Sequence, residues 1–413
     1  MNINILKNFV YLGISKGINI VMPVFITPVF ISIIGTTNFG KVATLQAIIS
    51  FFTILTNFGY ELSAVRDISI NIEYDIKINK TIGLVYLTRT VILVLAFPIY
   101  VFVCSFFFSF SSDNELIFFG YLVVFSTSYI SDWYFQGIQK MEFIAWSNIL
   151  AKVLFLVCFF LFIRNIQDYK RYNLLIAFSN LISVIIGFLL IYGRYRINFK
   201  VIKKSDVLEI LKKNIFLVAS NFSLWGTTNF IFFVLAYYND NSVVGEYSAV
   251  DKIISVLRLL LSFFLSAIFP KICQIRNNRQ ELLRFFRYVY SPLVVLILSL
   301  CFTLNIFSNQ VSFFLLKQNN INTVNLIENL SFLPLIVCLN IPFYAILLAR
   351  NKTKFISNIF ALSALLAIFI STVLISRFQL IGLSISLNIV ELFITIGLIL
   401  GVIFFNKTSE VVT

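Results

Sequence analysis

The chain has 413 residues, 59% of them hydrophobic and 12% charged, with a mean hydropathy of +0.94. Average soluble domains are roughly 45–50% apolar and 25% charged, so a soluble protein is excluded. At about 20 residues per bilayer-crossing helix, the chain holds about a dozen spans joined by short loops, with no room for a sizeable soluble domain.

Apolar runs recur at 9–34, 40–60, 83–110, 116–131, 143–163, 172–193, 214–238, 247–270, 288–308, 326–348, 355–376 and 380–405. The first follows only Lys7, is too long for a signal-peptide core and has no small-residue cleavage site behind it, so it reads as a membrane span. All the runs are long and rich in Leu, Ile, Val and Phe without strict alternation, a poor fit to a barrel of ~10-residue strands. The predicted class is an all-α integral membrane protein with about twelve transmembrane helices.

The formal charge is +14, from 32 Lys and Arg against 18 Asp and Glu. In a soluble chain that excess raises the question of nucleic acid; here it is read as orienting helices in a membrane, and no nucleic-acid partner is expected. Over alternate connections, one set of segments carries 21 Lys and Arg (Lys7; Arg66, Lys77, Lys80; Lys140; Arg194 to Lys213; Lys271 to Arg287; Arg350, Lys352, Lys354; Lys407) and the other 6 (Lys41; Arg164, Lys170, Arg171; Lys317; Arg377). The positive-inside rule places both termini in the cytoplasm.

The most basic connection, 194–213, lies mid-chain and divides it into lobes 1–205 and 206–413. Gly40, Ile48, Ile49 and Ser50 recur as Gly245, Ile253, Ile254 and Ser255, and Lys7-Asn8 recurs as Lys213-Asn214. Similar offsets suggest two six-helix lobes of one topology, related by an axis along the membrane normal.

There is no histidine, which removes His metal ligands, Ser-His and Cys-His nucleophile pairs and histidine proton relays. The five cysteines are far apart and mostly inside apolar runs, so they read as packing residues rather than a disulfide framework or a zinc site. No phosphate-binding Gly-x-x-x-x-Gly-Lys-Ser/Thr loop is present. No metal site and no cofactor are expected, and the chain does not read as an enzyme.

What stands out is charge inside the spans: Lys16, Arg89, Lys152, Lys252 and Arg258 as cations, Asp251 and Glu391 as anions. Each costs about 2.5–3.5 kcal/mol at a helix centre facing lipid, so the net positive set is expected to face a wet interior suited to an anionic group. The plainer readings are that Lys16 and Arg89 snorkel to the headgroups and that Lys152 is part of a structural pair. Asp251, Ser255 and Arg258 share a helix face, which makes Asp251 either a partner of Arg258 or a coupling site. Glu391, with no basic neighbour on its own helix, is the candidate H+ or Na+ site, against the reading that it partners a cation elsewhere. Pro23 and Pro28 make the first helix the expected hinge, or an ordinary packed kink. Trp133, Tyr134 and Trp225 read as sugar-stacking or interfacial-belt residues.

Several segments resemble the polysaccharide-export (Wzx-type) flippases, which share a superfamily with the multidrug and toxic-compound extruders and the peptidoglycan-lipid flippase. They are Asn57-Phe58-Gly59-Tyr60 with Ala64 and Arg66, Asp132-Trp133-Tyr134-Phe135-Gln136-Gly137 with Lys140-Met141, Gly245-x-Tyr247-Ser248-Ala249-x-x-Lys252-Ile253 running to Pro270, and Leu348-Ala349-Arg350-Asn351-Lys352. The resemblance implies a two-lobed transporter of a bacterial inner membrane that moves an undecaprenyl-pyrophosphate-linked oligosaccharide to the outer leaflet. It further implies membrane lipids and other polysaccharide-assembly membrane proteins as partners. The alternatives are a drug/cation antiporter of the same fold, which would prefer cavity carboxylates, and a membrane polysaccharide polymerase. The polymerase would need a long outer loop with catalytic groups, whereas the longest outer connection, 309–325, has Lys317 as its sole charge.

Overall fold

A computed structural model describes residues 3–195, 202–275, 278–318 and 320–410. Every regular element among the described residues is helical. The expected basic residues Arg196, Lys200 and Arg276 lie outside them.

In chain order the helices are α1 (Ile3–Asn57), α2 (Tyr60–Ile70), α3 (Asp75–Cys104), α4 (Phe110–Tyr129), α5 (Asp132–Gly137), α6 (Met141–Phe162), α7 (Tyr172–Arg194), α8 (Lys204–Thr228) and α9 (Phe230–Tyr238). They continue as α10 (Asn241–Ile275), α11 (Arg279–Phe285), α12 (Ser291–Ile306), α13 (Ser308–Leu316), α14 (Ile321–Leu330), α15 (Leu333–Ala349) and α16 (Thr353–Glu410). Nine helical stretches of the described residues are long and apolar enough to cross a membrane, and the pair α8 and α9, bent by 44°, makes a tenth.

Two of the nine are double. The helical path of α1 is broken at Gly35 (φ 79, ψ 162) and that of α16 at Gln379 (φ 47, ψ −123). A positive φ costs glycine little and other residues more, so Gly35 lets the chain start a second span without a loop. Counting these two as two spans each gives the twelve apolar runs of the sequence.

Pro23 and Pro28, the expected hinge, lie inside α1, and the break in its helical φ/ψ falls at Gly35. Two expectations change. The connection 309–325 is largely helical, as α13 and the start of α14. The segment after residue 60, expected as a connection between spans, forms α2.

The chain forms two compact units, one of residues 1–22 and 33–222 and the other of 23–32 and 223–413. The sequence reading divides it at 205/206. Helix α8 joins the first unit as far as Phe222 because its polar side chains are spent there. Asn214 Nδ2 donates to the Phe58 carbonyl (3.1 Å) and to Ser63 Oγ (2.9 Å), Lys213 pairs with Asp67 (3.3 Å), and Lys80 pairs with Asp206 (3.0 Å).

Within the first unit, α7 packs on α4 and α6, and α5 packs on α2. Between apolar helices in lipid, close packing and interhelical hydrogen bonds replace the hydrophobic drive. Gly137 shows this: a Cβ there would lie 2.7 Å from Ile68 Cγ2, and the Gly137 carbonyl accepts from Ser69 Oγ (3.0 Å). At one end, Asp113 ties three elements together, accepting from Lys41 Nζ (3.0 Å) and Tyr169 Oη (2.9 Å).

The second unit is built around α15, which packs on α10, α12 and α16. Cys338, Ala345 and Leu347 are buried in its core. All five cysteines are free and four are buried, as packing residues should be.

Candidate functional site

In the first unit, Arg89 is 1% exposed and is enclosed by protein rather than by a wet cavity. Helix α4 ends at Tyr129, and the last carbonyls of a helix lack intrahelical partners. Arg89 Nη1 donates to the Ser128 carbonyl (2.7 Å) and, more weakly, to that of Ile130 (3.4 Å). Its guanidinium carbon lies 5.8 Å from the Tyr60 ring centroid and 5.9 Å from that of Trp133. Arg89 therefore braces the end of α4 from α3, which corrects the expectation that it lines a cavity.

The Asp132 to Gly137 motif serves the same brace. Trp133 and Tyr134 are each 2% exposed and pack with Tyr60, Ile68, Ile82 and Tyr86. Tyr86 Oη and Ser131 Oγ are 2.8 Å apart. Neither aromatic is free to stack on a sugar or to line a headgroup belt, and Trp225, in the second unit, is also buried. Asp132 is a charge in a membrane-spanning stretch that the sequence reading passed over. It lies within electrostatic reach of Glu61, Asn148 and Arg89, and Asn148 in turn donates to Ser15 Oγ (2.6 Å). Its place directly after an apolar run was the available signal.

Lys16 is exposed on α1, one residue from the buried Ser15. Lys152 is half-buried on α6 and, among the described residues, has no hydrogen-bond or ion-pair partner. The pair that was the plainer reading for Lys152 is thus not formed.

In the second unit, Arg258 on α10 and Glu391 on α16 form an ion pair at 3.7 Å, with 22% and 17% of their side chains exposed. Glu391 Oε2 also accepts from Asn340 Nδ2 on α15 (3.3 Å), and Thr395 Oγ1 donates to Asn340 Oδ1. Glu391 is thus the partner of a cation, and the partner of Arg258 is Glu391 rather than Asp251. Asp251 accepts from Ser255 Oγ (3.5 Å) one turn along α10. Lys252, half-buried on the same helix, has no hydrogen-bond or ion-pair partner among the described residues. Asn340 and Thr395 were missed in the sequence, although an asparagine between Leu339 and Ile341 was the clue.

The embedded charges therefore sort into a brace (Arg89), a pair (Arg258 with Glu391), a carboxylate bonded to Ser255 (Asp251) and three cations with no acidic partner among the described residues (Lys16, Lys152 and Lys252). No cluster of three or more His, Cys, Asp or Glu suited to a metal ion occurs among the described residues.

The profile of a family described as "Polysaccharide biosynthesis protein" matches residues 5–276. The chain belongs to this polysaccharide biosynthesis family. A relative from Escherichia coli (strain K12), named "Putative O-antigen transporter", is 23% identical over 407 residues, 94% of each chain. In fold, the family member is similar to an inward-facing multidrug resistance MATE transporter of the MOP superfamily (TM-score 0.76, 12% identity, 98% of this chain and 99% of that one). It is also similar to the lipid II flippase MurJ in an inward closed conformation (TM-score 0.60, 15% identity, 97% of this chain and 86% of that one). These likenesses agree with an all-α, multi-pass membrane protein of MATE/flippase-like fold.

Proposed function

We propose that the protein is a flippase that carries an undecaprenyl-pyrophosphate-linked oligosaccharide from the cytoplasmic to the outer leaflet of a bacterial inner membrane, with both its termini cytoplasmic. The observation that carries the reading is the set of half-buried lysines without acidic partners among the described residues, Lys152 in one unit and Lys252 in the other, on helices of membrane-spanning length. An uncompensated cation is expensive at such a depth, and a pyrophosphate is an anion that removes the expense. The family and the O-antigen transporter and lipid II flippase relatives support this choice of cargo.

The pyrophosphate and its sugars cannot enter hydrocarbon without replacements for water. In this mechanism Lys16 receives the headgroup, Lys152, Lys252 and Arg258 hold it deeper, and the isoprenoid stays in lipid. Rocking of one lobe against the other then switches access. H+ or Na+ coupling at Asp251 or Glu391 is a further part of the proposal.

The test is a strain lacking the gene, with surface polysaccharide read on gels beside lipid-linked sugars extracted from membranes. Loss of the polymer, with complete repeat units accumulating on undecaprenyl pyrophosphate, is expected. Single repeats still reaching the surface would indicate a polymerase, and an unchanged glycan with altered drug tolerance would indicate the drug antiporter.

A further inference from the structure

We infer that Glu391 occupies the place of the substrate's phosphate at Arg258, so that the incoming anion exchanges with this carboxylate rather than entering a vacant site. The inference rests on the flippase reading and adds an internal competitor to it.

Three features of the second unit carry it. First, the pair is loose: its 3.7 Å separation exceeds the roughly 2.7–2.9 Å of a charge-assisted hydrogen bond. Second, Arg258 has donors to spare. A guanidinium offers five N–H groups in a fork that fits phosphate through two parallel bonds, yet the buried Nε of Arg258 has no hydrogen-bond partner among the described residues. A tetrahedral phosphate supplies the acceptors that one distant carboxylate oxygen leaves out. Third, Glu391 has another donor on hand. Asn340 Nδ2 already reaches its second oxygen (3.3 Å), and Thr395 fixes that amide by donating to Asn340 Oδ1. When Arg258 turns to the substrate, the carboxylate keeps the Asn340 contact.

Both side chains retain some exposure, 22% and 17%, so an anion has access to the pair without unfolding the helices. The groups around it are consistent with exchange. Asp251, one to two turns along α10, is turned to Ser255, and Lys252 adds an unpartnered cation on the same helix. Between cargoes, Glu391 keeps Arg258 neutralised and discourages small anions from settling there. The pair thus sets a threshold that favours an anion with more than one phosphate oxygen to offer.

A site closed most of the time by an internal group lowers the apparent affinity by the fraction of time it is open. If Arg258 is free roughly a tenth of the time, removing the competitor gains about tenfold. The experiment is binding of radiolabelled undecaprenyl pyrophosphate to the purified full-length chain in lipid nanodiscs, with empty nanodiscs as the blank. Glu391→Gln is expected to bind about tenfold tighter than wild type and Arg258→Gln about tenfold weaker. The double variant should match Arg258→Gln alone. Glu391→Asp, which stays charged but reaches less far, should tighten binding by a smaller factor and serves if the glutamine form does not fold. Wild-type binding with no gain in either Glu391 variant would overturn the inference alone. A gain that persists in the Arg258→Gln background would also overturn it. No binding above the blank by any form would overturn the flippase reading, and the inference with it.

Discussion

Arg89 and Lys152 carry the same formal charge in the same kind of helix, yet their surroundings set them to different work. Arg89 is spent on the carbonyls that end α4 and on two aromatic faces, while Lys152 has no hydrogen-bond or ion-pair partner among the described residues. Hydrogen bonds to charged groups contribute about 1.5–3 kcal/mol each, so Arg89→Ala is expected to cost at least that much. Its measure is the melting temperature and folded yield of purified protein, with partial rescue by Arg89→Lys. A variant that keeps wild-type stability would show that the brace is dispensable. Sequence alone could not separate these residues, because hydropathy counts a charge without its partners. The same limit hid the Arg258–Glu391 pair, whose members are far apart in sequence and meet only when α10 and α16 both pack on α15.

At the scale of elements, Gly35 controls how the first two spans join. Its φ of 79° and ψ of 162° form a conformation that other residues hold only at a cost of order 1–3 kcal/mol. Gly35→Val is therefore expected to lower thermal stability by about that amount, while Gly13→Ala on the same helix, where an added Cβ meets nothing within 4 Å, changes it little. Equal effects of the two substitutions on the melting temperature would contradict this role. The spans themselves were legible, since long apolar runs need no partner to be recognised. The joints were not, because hydropathy records composition and not backbone angle. Thus Gly35 and Gln379 replaced expected loops. The Asp132 to Gly137 motif, the most specific piece of sequence resemblance, was visible as a pattern. Its structural task became clear only with Trp133 and Tyr134 buried against α2 and α3.

For the whole molecule, the excess of basic residues was legible from composition, and its division among brace, pair and unpartnered lysines was not. Two lobes meeting at 205/206 were expected from weak internal repeats; the compact units divide instead at 22/23, 32/33 and 222/223, with Asn214 and Lys213 of α8 bonded within the first unit. The central claim is that the unpartnered lysines draw a lipid-linked pyrophosphate across the membrane. Its most direct test is translocation in vesicles reconstituted with the purified chain and lipid-linked repeat units extracted from the gene-deleted strain, read as sugar newly accessible to an impermeant reagent. Wild type is expected to translocate, and Lys152→Ala/Lys252→Ala to lose about tenfold or more in rate with a melting temperature no lower than wild type, since a change of 1.4 kcal/mol in binding is a factor of ten. Translocation by the double variant at the wild-type rate would contradict the account.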